Sequence, residues 1–108
     1  MKTKIFLQSK RGSYSAEALF SEGTVTVLKG TKIQLDFAEH IVGGKKAKSY
    51  RDDRSFVDEN GIVLKECIFT SPSTAAQFVT GRSTNGYGAW KLDKKTSLGK
   101  HLDREKSK

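Results

Sequence analysis

The residues whose types could do chemistry are concentrated in one stretch, residues 71–91. Within it lie Ser71, Ser73, Arg82, Asn85, Tyr87, Trp90 and Lys91. Ser-Pro-Ser is typical of a helix start, where free N–H groups and the helix dipole favour an anion such as phosphate. Arg and Lys neutralise phosphates, Asn pairs with an adenine edge, and an aromatic ring stacks on an unpaired base. The stretch therefore predicts binding to nucleic acid.

Each of these residues also has a simpler interpretation. Trp90 could be a core residue, Asn85 only a turn former next to Gly86, and Arg82 an ordinary surface charge. Both interpretations remain open from the sequence alone.

A second basic segment lies in the middle of the chain. Residues 43–46 read Gly-Gly-Lys-Lys, which indicates a flexible basic loop. We predict that Lys45, Lys46 and Lys48 contact a DNA backbone, because lysines bind phosphates without regard to base sequence.

The sequence offers little for catalysis or metal binding. His40 and His101 are the only histidines and Cys67 is the only cysteine, which is too few for a structural zinc site and a poor basis for a catalytic triad. The adjacent acidic pairs at 52–53 and 58–59 would point about 100° apart on a helix, so neither pair converges on one ion. We expect a protein that is not an enzyme and holds no metal and no cofactor.

Composition narrows the class further. The chain has 108 residues and a net charge of +8, which fits one small domain that attracts polyanions. A single cysteine excludes an internal disulfide and favours a reducing, cytoplasmic setting. The N-terminus lacks the apolar run of a signal peptide, and no stretch has the roughly eighteen apolar residues of a membrane span, so no membrane association is expected.

The elements that must position these residues follow from the hydrophobic pattern. It predicts an α+β fold, a single small domain with a mainly antiparallel sheet and two short helices packed on one face. Strands are expected at 5–8, 16–20, 24–28, 32–38, 62–69 and 87–92, with 62–69 central, and helices at 47–59 and 72–80. The domain is expected to span residues 1–92. Residues 93–108 are expected to form a basic, disordered tail that could hold a short helix around Leu98 and Leu102.

Three motifs carry a resemblance to a known family. Residues 69–76 read F-T-S-P-S-T-A-A, residues 81–86 read G-R-S-T-N-G, and residues 90–91 read W-K. Together they resemble a bacterial family of unknown function whose members stand alone or lie C-terminal to GIY-YIG endonuclease domains. That family is similar to the RAMA domain, which is associated with restriction enzymes and adenine methylases. The resemblance runs from about residue 5 to residue 98, with weaker matches at 22–30 and 54–61.

The resemblance implies a non-catalytic accessory module. Such a module would help a nuclease or methylase of a restriction-modification system engage DNA, including modified DNA, and duplex DNA is the expected ligand. The alternative is a protein-interaction or oligomerisation module in which Tyr87 and Trp90 anchor a partner surface. Salt-dependent DNA binding separates the two hypotheses.

Overall fold

Alternating apolar residues build the sheet on which the rest of the chain packs. The computed structural model describes residues 2–37 and 45–106. Their elements are β1 (Thr3–Gln8), β2 (Ser15–Ser21), β3 (Thr24–Val27), α1 (Lys45–Arg51), β4 (Cys67–Phe69), α2 (Pro72–Thr80), α3 (Gly86–Ala89) and α4 (Leu98–Lys106). The four strands form one antiparallel sheet in the order β1-β2-β3-β4. The predicted α+β class and single domain are confirmed.

The register of the sheet places one apolar set on a single face. Ile5 pairs with Ala18, Ala18 with Val27, and Val27 with Cys67, and all four side chains are buried. Because successive strand residues point to opposite faces, the residues between them lie on the other side of the sheet. The strands predicted at 5–8, 16–20 and 24–28 are therefore confirmed, within one or two residues at their ends.

A two-residue turn joins β2 to β3 where the sequence predicts a turn. Glu22 and Gly23 have φ values of 49° and 85°, and Ser21 pairs with Thr24 on either side. Positive φ at both central residues matches the right-handed twist of the flanking strands.

The helices cover the buried face of the sheet. Helix α2 packs on β3 and β4, and α1 and α3 pack on α2. An aromatic cluster fills the space between α1, α2 and β4, with Tyr50 in edge contact with Phe56, Phe69 and Phe78. The Tyr50 hydroxyl also accepts a hydrogen bond from the Ile68 N–H at 3.2 Å and donates to the Ile68 carbonyl at 3.4 Å. It thereby occupies part of the free edge of β4.

Helix α2 begins and ends as its sequence predicts. Ser71 is its N-cap, Pro72 is its first residue, and Gly81 follows it with φ of 75°. An extended cap residue, a proline without an N–H and a left-handed glycine each fit these positions at little steric cost. The helix predicted at 72–80 is confirmed.

Helix α1 is shorter and earlier than the predicted helix at 47–59. It begins at Lys45 and ends at Arg51. The Asp53 carboxylate accepts hydrogen bonds from the Ser55 N–H at 2.9 Å and the Ser55 hydroxyl at 2.6 Å. This local turn competes with continuation of the helix. Lys45 and Lys46 therefore belong to a helix and not to a flexible loop, and Gly43, Gly44 and His40 lie outside the described residues.

The strands predicted at 32–38 and 62–69 are largely replaced by isolated β-bridges. In the segment 32–37, Lys32 bridges to Ser15 and Ile62, and the Gln34 N–H then donates to the Val79 carbonyl. Residue 38 lies outside the described residues. The strand predicted at 62–69 is reduced to Cys67–Phe69, and it lies at the edge of the sheet and not in its centre. Alternation predicted a strand in both cases, but it does not show which backbone the strand pairs with.

The chain after residue 86 differs most from the prediction. Residues 86–89 form the short helix α3 where a strand was expected, and Asn85 is its N-cap. The backbone of Lys91 then pairs with Phe6 on one side and with Ser97 on the other. Leu98, at the start of α4, has 0% of its surface exposed. Residues 93–106 are therefore part of the folded domain, in contrast to the predicted disordered tail, and the short helix predicted around Leu98 and Leu102 is present as α4.

Candidate nucleic-acid interface

The start of helix α2, predicted as an anion site, is already occupied by the protein's own groups. The Ser71 hydroxyl accepts from the N–H groups of Ser73 at 3.2 Å and Thr74 at 3.4 Å. The Ser73 hydroxyl accepts from the Gly86 N–H at 3.0 Å. A Cβ on residue 86 would overlap the Pro72 carbonyl and the Ser73 nitrogen. The phosphate-binding role expected of Ser71 and Ser73 is therefore corrected, because they cap α2 and anchor α3.

Trp90 is a core residue, which corrects its predicted role in stacking. None of its surface is exposed, and its indole N–H donates to the Pro72 carbonyl at 3.0 Å. A buried indole needs such an acceptor, and a carbonyl at the start of α2 supplies it. Of the two interpretations of Trp90, the simpler one is correct.

Asn85 and Tyr87 lie on the surface. The Asn85 side-chain oxygen accepts from the Tyr87 N–H at 3.1 Å and caps helix α3. The Tyr87 side chain is 43% exposed. Asn85 thus stabilises the local turn, and Tyr87 remains accessible to a ligand.

Arg82 and Lys91 lie on two adjoining open cavities. The first has a volume of about 480 Å³ and is lined by Leu7, Gln8, Ser13, Tyr14, Gln34, Thr80, Arg82, Ser83, Thr84 and Ala89. The second has a volume of about 500 Å³ and is lined by Phe6, Gln8, Ala89, Lys91, Leu92, Asp93 and Lys94. Gln8 and Ala89 line both cavities, so the two cavities adjoin at these residues, and together we call them the Gln8 groove.

The loop that carries Arg82 is held by threonine hydroxyl groups. The Thr80 hydroxyl accepts from the Arg82 N–H at 3.2 Å and lies 2.9 Å from the Thr84 hydroxyl. The Arg82 carbonyl lies within 3.1 Å of both hydroxyls. The backbone of Arg82 is therefore fixed, while its side chain is exposed.

Backbone pairing fixes Lys91 at the other end of the groove. The Phe6 N–H donates to the Lys91 carbonyl at 2.7 Å, and the Lys91 N–H donates to the Phe6 carbonyl at 2.9 Å. Lys91 thus lies beside β1 as an added strand residue, with its side chain exposed. Two predicted phosphate contacts nine positions apart in the sequence are brought to one groove by this pairing.

The lysines of α1 belong to a different surface. Lys48 lines a separate cavity of about 220 Å³ together with Arg51 and Arg54, and neither Arg82 nor Lys91 lines it. Lys45 and Lys46 are exposed, and the Lys46 ammonium lies 5.1 Å from the centroid of the Tyr50 ring. The structure therefore does not unite the α1 lysines with the Gln8 groove.

Arg51 is a residue whose role the sequence did not indicate. Its Nε–H donates to the Phe78 carbonyl at 3.0 Å, and its guanidinium lies 4.7 Å from the centroid of the Phe37 ring. Burial lowers its pKa to about 10, so it stays positively charged at neutral pH. A cation at the last carbonyls of α2 complements the negative end of the helix dipole. Arg51 therefore joins α1 to the end of α2.

The described residues contain no group of three His, Cys, Asp or Glu side chains that could hold a metal ion. Cys67 is buried, and its burial raises the pKa of the thiol to about 12. A protonated, buried thiol is a poor nucleophile. None of the described helices is long and apolar enough to cross a membrane.

Comparison with known families places the chain in a family of unknown function. A family model described as a domain of unknown function, DUF4357, matches residues 5–102. The chain belongs to the DUF4357 family. No curated protein and no solved structure matches the chain.

The extent of the DUF4357 match agrees with the folded C-terminal segment. The match ends at Leu102, inside α4, and not at the boundary of residue 92 predicted from the sequence. Leu98 is buried and Leu102 is half-buried against the same core. The DUF4357 domain therefore includes the basic segment that follows Lys91.

Proposed function

We propose that this DUF4357 domain is a non-catalytic accessory module that binds DNA through the Gln8 groove. The observation that carries the proposal is that Arg82 and Lys91 line two adjoining cavities that share Gln8 and Ala89. The Arg82 end of the groove is lined by hydroxyl and amide side chains, and among the described residues by no carboxylate. Such a surface suits a phosphate backbone, since it offers donors and positive charge without like-charge repulsion.

The rest of the molecule supports an anionic partner. The net charge of +8 attracts a polyanion over a long range. The backbones of Arg82 and Lys91 are fixed, so binding a phosphate orders only their side chains. Lys94 adds a third cation at the Lys91 end.

The biological context of the proposal comes from the motif resemblance. The likeness to the RAMA domain and to domains attached to GIY-YIG endonucleases suggests a nuclease or methylase partner. In a restriction-modification system, this module would hold the partner near its substrate, including modified DNA. The alternative, a protein-interaction module, loses one of its two expected anchors because Trp90 is buried.

The proposal is tested by fluorescence anisotropy with the full chain and labelled DNA at 0.1 M salt. Arg82→Gln is expected to weaken binding about eightfold. One phosphate contact contributes about 0.9 to the slope of log affinity against log salt, which amounts to about 0.9 log units at 0.1 M salt relative to 1 M. Lys29→Gln is the matched control, since Lys29 is exposed and lies outside the groove. Equal weakening by both variants would show that general charge, and not the groove, binds DNA. Absence of binding by the unmodified chain would refute the proposal.

A further inference from the structure

The Lys91 end of the Gln8 groove is bounded by an aromatic ring. Phe6 is half-buried and lines the cavity of about 500 Å³ together with Lys91 and Lys94. Its neighbours on β1, Ile5 and Leu7, point into the core. Because side chains alternate along a strand, the Phe6 ring lies on the face of the sheet opposite to that core.

The charges around Phe6 are mostly positive. The Lys4 ammonium lies 5.7 Å from the ring centroid. Glu17, the cross-strand neighbour of Phe6, forms an ion pair with Lys4 at 3.2 Å. The Asp93 carboxylate accepts from two backbone N–H groups of its own turn, both at 2.8 Å. Both carboxylates near the ring therefore have partners within the protein.

We propose that the Phe6 end of the Gln8 groove holds one unpaired base of a DNA strand, stacked on the Phe6 ring, while Lys91 and Lys94 bind the adjacent phosphates. This inference rests on the proposed function and names its substrate class, which is DNA with single-stranded segments or ends. Base–aromatic stacking tolerates any base, because every base has a π-face. The cavity volume lies within the range of sites that accept small organic groups.

An unpaired base fits this arrangement better than an intact duplex. In a duplex each base is stacked between its neighbours, so its face is not accessible to a side chain. An aromatic ring flanked by lysines on a sheet surface presents a stacking platform and phosphate ligands together. Gln8 lines both cavities, and a glutamine amide carries the donor and acceptor that pair with a base edge.

The experiment compares three labelled DNAs with the full chain: a twelve-nucleotide single strand, the blunt duplex of the same sequence, and that duplex with a short overhang. The single strand and the overhang are expected to bind about tenfold more tightly than the blunt duplex. Phe6→Leu is expected to weaken single-strand binding by about 5- to 150-fold, which corresponds to the loss of one base–aromatic stack. Phe6→Tyr keeps an aromatic face and is expected to retain the affinity.

Phe56→Leu is the matched control. Phe56 is also half-buried and has a lysine ammonium, that of Lys65, at 5.6 Å from its ring centroid, but it does not line the groove. This variant is expected to leave single-strand affinity unchanged. A second measurement does not depend on the fold of any variant. When a DNA strand that contains 5-iododeoxyuridine is irradiated with the unmodified chain, the strand should become crosslinked to Phe6.

The outcomes separate this inference from the proposed function. Equal affinity for the single strand and the blunt duplex, unchanged binding by Phe6→Leu, or crosslinks only to residues outside the groove would each overturn the inference. In those cases DNA binding through Arg82 could still hold. If the unmodified chain binds none of the three DNAs, both proposals fall.

Discussion

At the scale of single residues, a close backbone contact lies where Gly86 meets the first turn of α2. The Gly86 N–H donates to the Ser73 hydroxyl. The indole of Trp90, four residues after Gly86, donates to the Pro72 carbonyl. The S-P-S, N-G and W-K motifs therefore meet in one place. Contacts between these motifs join α2 to α3.

A pair of glycine substitutions tests this junction. Gly86→Ala is expected to cost at least about 1–3 kcal/mol of unfolding free energy, because its Cβ would overlap backbone atoms of Pro72 and Ser73, which cannot rotate away. Gly88→Ala, two residues later in the same helix, meets no atom within 4 Å. It is expected to be neutral or to stabilise the protein by up to about 1 kcal/mol through helix propensity. Urea denaturation measures both, and equal effects would contradict the close contact at Gly86.

At the scale of elements, the sequence predicted best where the local pattern alone decides the structure. Strands β1 to β3 follow from alternation, and α2 follows from its cap, its proline and its terminal glycine. The segment 32–37 and the end of α1 depend instead on partners distant in the chain or on side-chain hydrogen bonds. The Asp53–Ser55 turn and the pairing of Lys91 with Phe6 leave no periodic signal.

The C-terminal segment shows most clearly that contacts distant in the chain cannot be read from the local pattern. Its composition is basic and polar, which predicted a tail. The segment is nevertheless folded, because Leu98 is fully buried and its N–H donates a hydrogen bond to the Trp90 carbonyl at 2.8 Å. A chain ending at Leu92 would lose this contact and is therefore a poor choice for binding experiments.

A leucine pair tests whether α4 belongs to the cooperative fold. Leu98→Ala is expected to cost about 2–5 kcal/mol, because it removes a fully buried side chain and leaves a cavity. Leu35→Ala makes the same chemical change at a side chain that is 65% exposed, and it is expected to cost under about 0.5 kcal/mol. Chemical denaturation of the full chain gives both values. Wild-type stability of Leu98→Ala would mean that α4 is not packed as described.

At the scale of the whole molecule, the sequence predicted residue types that suit a polyanion, but it did not predict which of those residues the fold places together. Net charge and residue types pointed to a polyanion, and Arg82 and Lys91 do share a groove. The start of α2 was assigned to binding because the hydrogen bonds of its serines cannot be read from the sequence, and Trp90 because its burial cannot. The α1 lysines were grouped with Arg82 by charge alone, whereas the fold places Lys48 on a separate cavity.

A last prediction separates the groove from total charge. If Arg82, Lys91 and Lys94 each neutralise one phosphate of duplex DNA, the logarithm of the association constant should fall with the logarithm of salt concentration at a slope near −2.7. The double variant Arg82→Gln/Lys91→Gln should reduce this slope to about −0.9, because two counterion-releasing contacts are lost. The double variant Lys29→Gln/Lys65→Gln removes the same charge from exposed residues outside the groove and should keep the slope of the unmodified chain.

The comparison is decisive because both double variants lower the net charge equally from +8. Long-range attraction depends on total charge and is screened within about 10 Å at 0.1 M salt, so it affects both variants alike. A slope, in contrast, counts the phosphates that are directly neutralised. Identical slopes for the two double variants would mean that DNA contacts the basic surface without preference for the groove. A difference confined to Arg82→Gln/Lys91→Gln would assign the phosphate contacts to these two residues.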